Sequence, residues 1–135
     1  MAELSETVRQ GADALKQGNA AEAVALLEEA SRVEPDGYEV FVYLGAAYSA
    51  ENRINAAIGA FKRAAEIRPD SAQIHYNLGQ AYEAAGVPRE AWLEYEAALE
   101  RDPSYAKART AISVLSAHLP DLMSPSIQMD SDTAS

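Results

Sequence analysis

The sequence predicts an all-α chain in which helix pairs stack one behind another as a solenoid. Three observations carry that prediction. The stretch FVYLGAAY (residues 41–48) returns thirty-four residues later as HYNLGQAY (residues 75–82). At the same spacing Ala57, Phe61, Ala64 and Pro69 meet Ala91, Tyr95, Ala98 and Pro103. Upstream, Gly11, Ala14, Ala23, Leu27, Ala30 and Pro35 keep the same intervals, so the period runs through three copies without an insertion. A fixed period of this length marks a repeat architecture, in which each unit buries its apolar face against its neighbour.

Each unit reads as two helices and a turn. In the first helix of the second unit, Phe41, Leu44 and Tyr48 fall at i, i+3 and i+7, one stripe of a helical period. SAENR (residues 49–53) and EAAGVPR (residues 83–89) interrupt the stripe, and in the latter Gly86 and Pro88 set a helix stop beside a helix start. Ala57, Phe61 and Ala64 then repeat the stripe in a second helix. RPD (residues 68–70) or DPS (residues 102–104) ends such a helix, because proline has no amide to continue the ladder and disfavours α geometry before it. Gly45 opposite Ala57, and Gly79 opposite Ala91, are expected to supply small residues where the two helices approach.

At these residues the chain resembles the tetratricopeptide repeat (TPR) family, whose pattern is W-x2-L-G-x2-Y, A-x3-F and a proline over about thirty-four residues. The resemblance covers three copies, at about residues 4–37, 38–71 and 72–105, with Phe41 and His75 in the tryptophan position. In the first copy Thr7, Gln10 and Ala14 replace the aromatic, the leucine and the tyrosine, which suits a terminal unit with one face toward water. The resemblance implies a right-handed α-solenoid of antiparallel helix pairs, three TPR units plus a cap and about seven helices in all.

The cap is expected at residues 106–118, where Ala108, Ile112 and Leu115 form a helical stripe before Pro120, closing a TPR domain of residues 1–119. Beyond it the composition changes. Residues 120–135 (PDLMSPSIQMDSDTAS) hold two prolines, four serines and three aspartates without a helical period, and read as a disordered acidic tail. Leu122, Met123, Ile127 and Met129 are its apolar residues.

Composition narrows the function. With 135 residues, 48% of them hydrophobic, the chain is sized for one domain with a real core. No cysteine is present, which removes disulfides, thiol nucleophiles and thiolate metal sites and is compatible with a reducing cytoplasm, the expected location. The first residues, MAELSETVRQ, lack the apolar stretch of a secretory signal, and the longest run without a charge, twelve residues from 71 to 82, is too short to span a bilayer. A net charge of −10 argues against nucleic acid and membrane surfaces as partners.

Catalytic chemistry is not expected either. The two histidines, His75 and His118, stand 43 residues apart, and neighbouring acids such as Glu28 with Glu29 or Glu94 with Glu96 do not converge on one point of a helix surface. No glycine-rich phosphate loop or G-x-S-x-G elbow occurs. The expectation is a non-enzyme with no metal and no cofactor.

Function then falls to a surface. Successive first helices line the concave side of such a stack, and the residues not claimed by the core stripe point there. They are Arg9 and Lys16 in the first unit, Val42, Tyr43 and Ala46 in the second, Tyr76, Asn77 and Gln80 in the third, and Lys107 on the cap. Asn77 and Gln80 have the chemistry to pair with the backbone of an extended segment, and Val42, Tyr43 and Tyr76 to pack its side chains. For the two tyrosines ordinary inter-helix packing is the competing reading. On this strip Arg9, Lys16 and Lys107 face Glu39 and Glu83, a mildly positive groove in an acidic body that suits an anionic peptide.

The best-known version in the family, the carboxylate clamp of chaperone cochaperones, is matched poorly: Asn77 and Lys107 fit, but Val42 and Ala46 stand where lysine and asparagine are needed. The expected function is therefore a protein–protein interaction module that binds a peptide or protein segment in the concave groove. The alternative is an assembly module acting by self-association or as the tethered part of a larger complex. A homo-oligomer and a contact between groove and tail are both open.

Overall fold

The computed structural model describes residues 5–118, and among them the chain is seven α-helices without a strand. They are α1 (Glu6–Lys16), α2 (Ala20–Val33), α3 (Tyr38–Ala50), α4 (Ile54–Ile67), α5 (Ala72–Ala84), α6 (Pro88–Arg101) and α7 (Ala106–His118). The expected tail lies outside the described residues.

Local chemistry recurs with the repeat. Ser5 and Ser71 cap the first helices of units one and three, each hydroxyl accepting the backbone N–H of the residue three positions on, Val8 and Ile74. Between the two helices of every unit one residue takes left-handed backbone geometry: Gly18 at φ 83°, Asn52 at φ 59° and Gly86 at φ 81°. These positions are thirty-four apart in the sequence, and glycine or asparagine is what that conformation favours. Pro88 opens α6, where its missing N–H leaves no bond unmade.

Packing follows the stripes. Leu27, Val40 and Leu44 sit in one buried cluster, Phe61, Ile74 and Leu78 in the next, and Tyr95, Ala98, Ala108 and Leu115 in the last. Each cluster joins the two helices of a unit to the first helix of the following one. The last reaches α7 through Ala108 and Leu115, with Ile112 only half buried.

The glycines of the first helices lie closest to the large residue of the second helix. A Cβ on Gly45 or Gly79 would come within 2.4 Å of the Phe61 or Tyr95 ring, and one on Gly11 within 2.6 Å of Leu27. The glycine therefore makes room for the large residue of the second helix.

Both ends of the stack are polar where its interior is apolar. Val40, Ile74 and Ala108 are buried at one register position, as are Ala47, Ala81 and Leu115 at another, but α1 places exposed Glu6 and Asp13 there. At the other end α7 carries Ser113 and Ser116 where α5 has Gly79 and Tyr82.

Candidate functional site

The first helices leave a concave pocket of about 710 Å³. Val42, Tyr43, Ala46 and Ser49 of α3 form one wall, and Gln73, Asn77, Gln80 and Ala84 of α5 the other. Five of the nine expected groove residues meet here: Val42, Tyr43, Ala46, Asn77 and Gln80. Arg9, Lys16, Tyr76 and Lys107 are not part of the lining. Tyr76 packs between helices instead, its ring centroid 5.8 Å from those of both Tyr95 and Tyr105. The pocket also draws on Leu15 of α1, on Ile54 and Phe61 of α4, and on Asn52 in the turn. Asn52 was readable as the register mate of Gly18 and Gly86, but a pattern of helix faces does not report what a turn residue projects into.

No charged side chain lines this pocket. Four amides do, Asn52, Gln73, Asn77 and Gln80, and none has a hydrogen-bond partner for its side chain among the described residues. The acids assigned to the same strip are engaged elsewhere. Glu39 lies 3.5 Å from Arg68, and Glu83 accepts the hydroxyl of Tyr95. Arg9 pairs with Glu6 at 3.5 Å, whereas Lys16 and Lys107 are exposed and make no ion pair among the described residues. The result is an uncharged groove with cations beyond its rim.

The turns between units present the opposite picture. Arg63 donates to the carbonyl of Pro35 at 2.9 Å and to Asp36 at 2.8 Å, and Arg109 donates to the carbonyl of Pro103 at 2.9 Å. At the middle turn Arg101 donates to the Pro69 carbonyl at 2.9 Å, joined by His75 Nε2 at 3.0 Å. His75 Nδ1 lies 2.8 Å from Glu94, and the side chain is only 12% exposed. Both ring nitrogens thus face acceptors, which favours the doubly protonated imidazolium. The Glu94 hydrogen bond, against an opposing effect of burial, raises the His75 pKa above its ordinary value. Inside the stack, burial and then the Glu28 carboxylate push the Tyr48 hydroxyl up to about 12, and burial with Glu83 raises Tyr95 as well.

Among the described residues no group of three or more metal-ligating side chains is brought together, and no helix is long and apolar enough to cross a membrane.

A pairwise architecture of this kind, with a groove along its first helices, is that of a helical-repeat interaction module. Two family models match: one described as TPR repeat over residues 47–86 and one as tetratricopeptide repeat over residues 72–105. Over residues 47–105 the chain thus carries tetratricopeptide repeats, and as a class these repeats are protein–protein interaction modules. No curated protein sequence matches the chain.

Solved structures do match. The first TPR of Spaghetti (RPAP3), bound to the HSP90 peptide SRMEEVD, is 21% identical with a TM-score of 0.80, over 84% of this chain and 90% of that one. A crystal structure of MamA is 20% identical with a TM-score of 0.81, over 95% of this chain and 78% of that one. A mutant O-GlcNAc transferase of Thermobaculum terrenum is 22% identical with a TM-score of 0.71, over 84% of this chain and 23% of that one. At these identities the likeness is one of fold, and the transferase is an instance of the fold within an enzyme.

Proposed function

We propose that this chain is a non-catalytic adaptor, acting in the cytoplasm, that holds a peptide segment of another protein in the groove between α3 and α5. The observation that carries this reading is the uncharged pocket with four amide side chains that have no partner among the described residues. An extended backbone offers the alternating N–H and C=O groups such amides pair with, and the small floor residues Ala46 and Ala84 let it approach.

The preferred segment has an uncharged core. Acidic residues suit its flanks, near Lys16 and Lys107, so the anionic preference expected from sequence moves from the groove to its rims. Capture of a terminal carboxylate by a clamp is not supported, because Val42 and Ala46 in the lining supply no donors. The polar ends of the stack, Glu6 and Asp13 at one and Ser113 and Ser116 at the other, weigh against assembly by end-to-end stacking.

The test is affinity selection from a random peptide library on the full chain. Selected peptides should bind the Asn77→Ala, Gln80→Ala double variant at least about tenfold more weakly, a loss of roughly 1.4 kcal/mol. They should bind a Glu90→Gln, Glu96→Gln variant, changed on the opposite helix of the same unit, almost as well as the parent. Weakening by the second pair and not the first would place the ligand on the convex side and refute the reading.

A further inference from the structure

We propose that the groove has a resident occupant in this same chain: residues 119–135, with the uncharged stretch LMSPSIQM (residues 122–129) lying across α5 and α3. The proposal rests on the groove being a peptide site, and it names the segment that competes for it.

Where the described chain ends is the first reason. Helices α5 and α7 are in register, thirty-four residues apart, and His118, the last residue of α7, is the register mate of Ala84 in the groove wall. One turn earlier Val114, 54% exposed, is the mate of Gln80. The groove strip therefore continues onto α7, and the last described residue lies on it.

Chemistry is the second. The track that starts at His118 passes Ala84 and Ala50 and ends at Lys16 of α1, all at one register position. It runs from an exposed histidine, over two alanines, to an exposed lysine that makes no ion pair among the described residues. Residues 119–135 have a matching order: Asp121, then eight uncharged residues, then Asp130 and Asp132. An uncharged core meets the uncharged lining, and the distal aspartates meet Lys16. Pro120 and Pro125 disfavour a continuing helix, leaving backbone groups for Asn77 and Gln80 to pair.

Length is the third. Three steps between neighbouring first helices, at roughly 10 Å each, come to roughly 30 Å. At roughly 3.3 Å per extended residue that distance takes about nine residues. Asp130 stands twelve residues beyond His118, so it reaches Lys16 with slack for the turn away from α7.

The chain has no cysteine, so Ser126→Cys creates a single attachment point for a nitroxide label. In the labelled full chain the side-chain amide NMR signals of Asn77 and Gln80 should lose most of their intensity and recover it on reduction of the label. The loss should persist on tenfold dilution and be absent when labelled chain without isotope is mixed with unlabelled isotopic chain. Asp130→Lys with Asp132→Lys in the labelled chain should restore most of the intensity.

Sharp Asn77 and Gln80 signals in the labelled chain would overturn the proposal. Broadening that appears only in the mixture would overturn it too, in favour of a second copy as occupant. If those signals stay sharp while library peptides still depend on Asn77 and Gln80, the groove reading stands and this inference alone falls.

Discussion

The turns between units and the groove along the first helices are both polar surfaces of the same three repeats, yet their polar groups are used in opposite ways. At the turns, Arg63, Arg101, Arg109 and His75 each donate to a proline carbonyl of the chain itself. In the groove, the side chains of Asn52, Gln73, Asn77 and Gln80 have no hydrogen-bond partner among the described residues. Satisfied groups contribute to stability and leave little for a ligand, while unsatisfied groups facing water are available for binding at little structural cost. Changes at the turns and beneath them should therefore move stability, and changes in the groove should move affinity.

The largest effect is expected beneath both surfaces. Gly79→Leu drives a side chain into the Tyr95 ring, which already stands 2.4 Å from the position of a Cβ. Overpacking of this kind should lower stability by about 3 kcal/mol, the upper part of the usual range, as read by denaturant unfolding. Gly59, on the convex side of α4, has nothing within 4 Å of a Cβ. There Gly59→Ala should raise stability by about 1 kcal/mol through helix propensity. Two helical glycines with effects of the same sign would show that close approach is not what selects Gly79.

That contrast also shows how far the sequence was legible. Stripes, turns and period predicted the helix pairs, because core periodicity and prolines are local properties of the chain. That the Tyr95 ring is what Gly79 makes room for was not legible, because a repeat pattern states which residues face inward, not which atom of the next helix fills the space. Tyr43 and Tyr76 looked alike on the strip, and only packing separates them: Tyr43 lines the pocket, while Tyr76 sits against Tyr95 and Tyr105. Glu94 is the partner of His75, so the control for groove binding rests on the exposed Glu90 and Glu96.

A second expected effect separates the two surfaces directly. Asn77→Ala with Gln80→Ala, which costs at least about tenfold in peptide affinity, should shift unfolding free energy by no more than about 0.5 kcal/mol. Glu94→Gln should do the reverse, lowering the melting temperature while leaving peptide binding intact. Loss of stability in the groove pair would mean that its amides are structural and would erase the distinction.

The turn side should carry a pH signature that the groove lacks. The folded-state pKa of His75 is raised above about 6.5, chiefly by Glu94, with Arg101 the nearest opposing charge. A group whose pKa rises on folding stabilises fully below its unfolded value and loses that contribution as pH climbs through the folded one. The melting temperature should thus decline from about pH 6 upward in the parent more than in His75→Gln, with the excess confined to that interval. Parallel profiles for the two proteins would remove His75 from the account.

The smallest effect is expected where the two regions meet, at Asn52. Its backbone, at φ 59°, belongs to the turn, in the position that Gly18 and Gly86 hold in the other units. Its side chain belongs to the groove. Asn52→Gly keeps the left-handed geometry without strain and loses some unfolded-state restriction, so the two contributions nearly cancel and stability should stay within about 0.5 kcal/mol of the parent. The groove loses one amide, and library-selected peptides should bind a few-fold more weakly, as for one neutral hydrogen bond of about 1 kcal/mol. Titration of the same peptide against Asn52→Gly and against the Asn77, Gln80 pair should rank the single change as the weaker one. A clear loss of stability would mean that the amide holds the turn together and is no part of the binding surface.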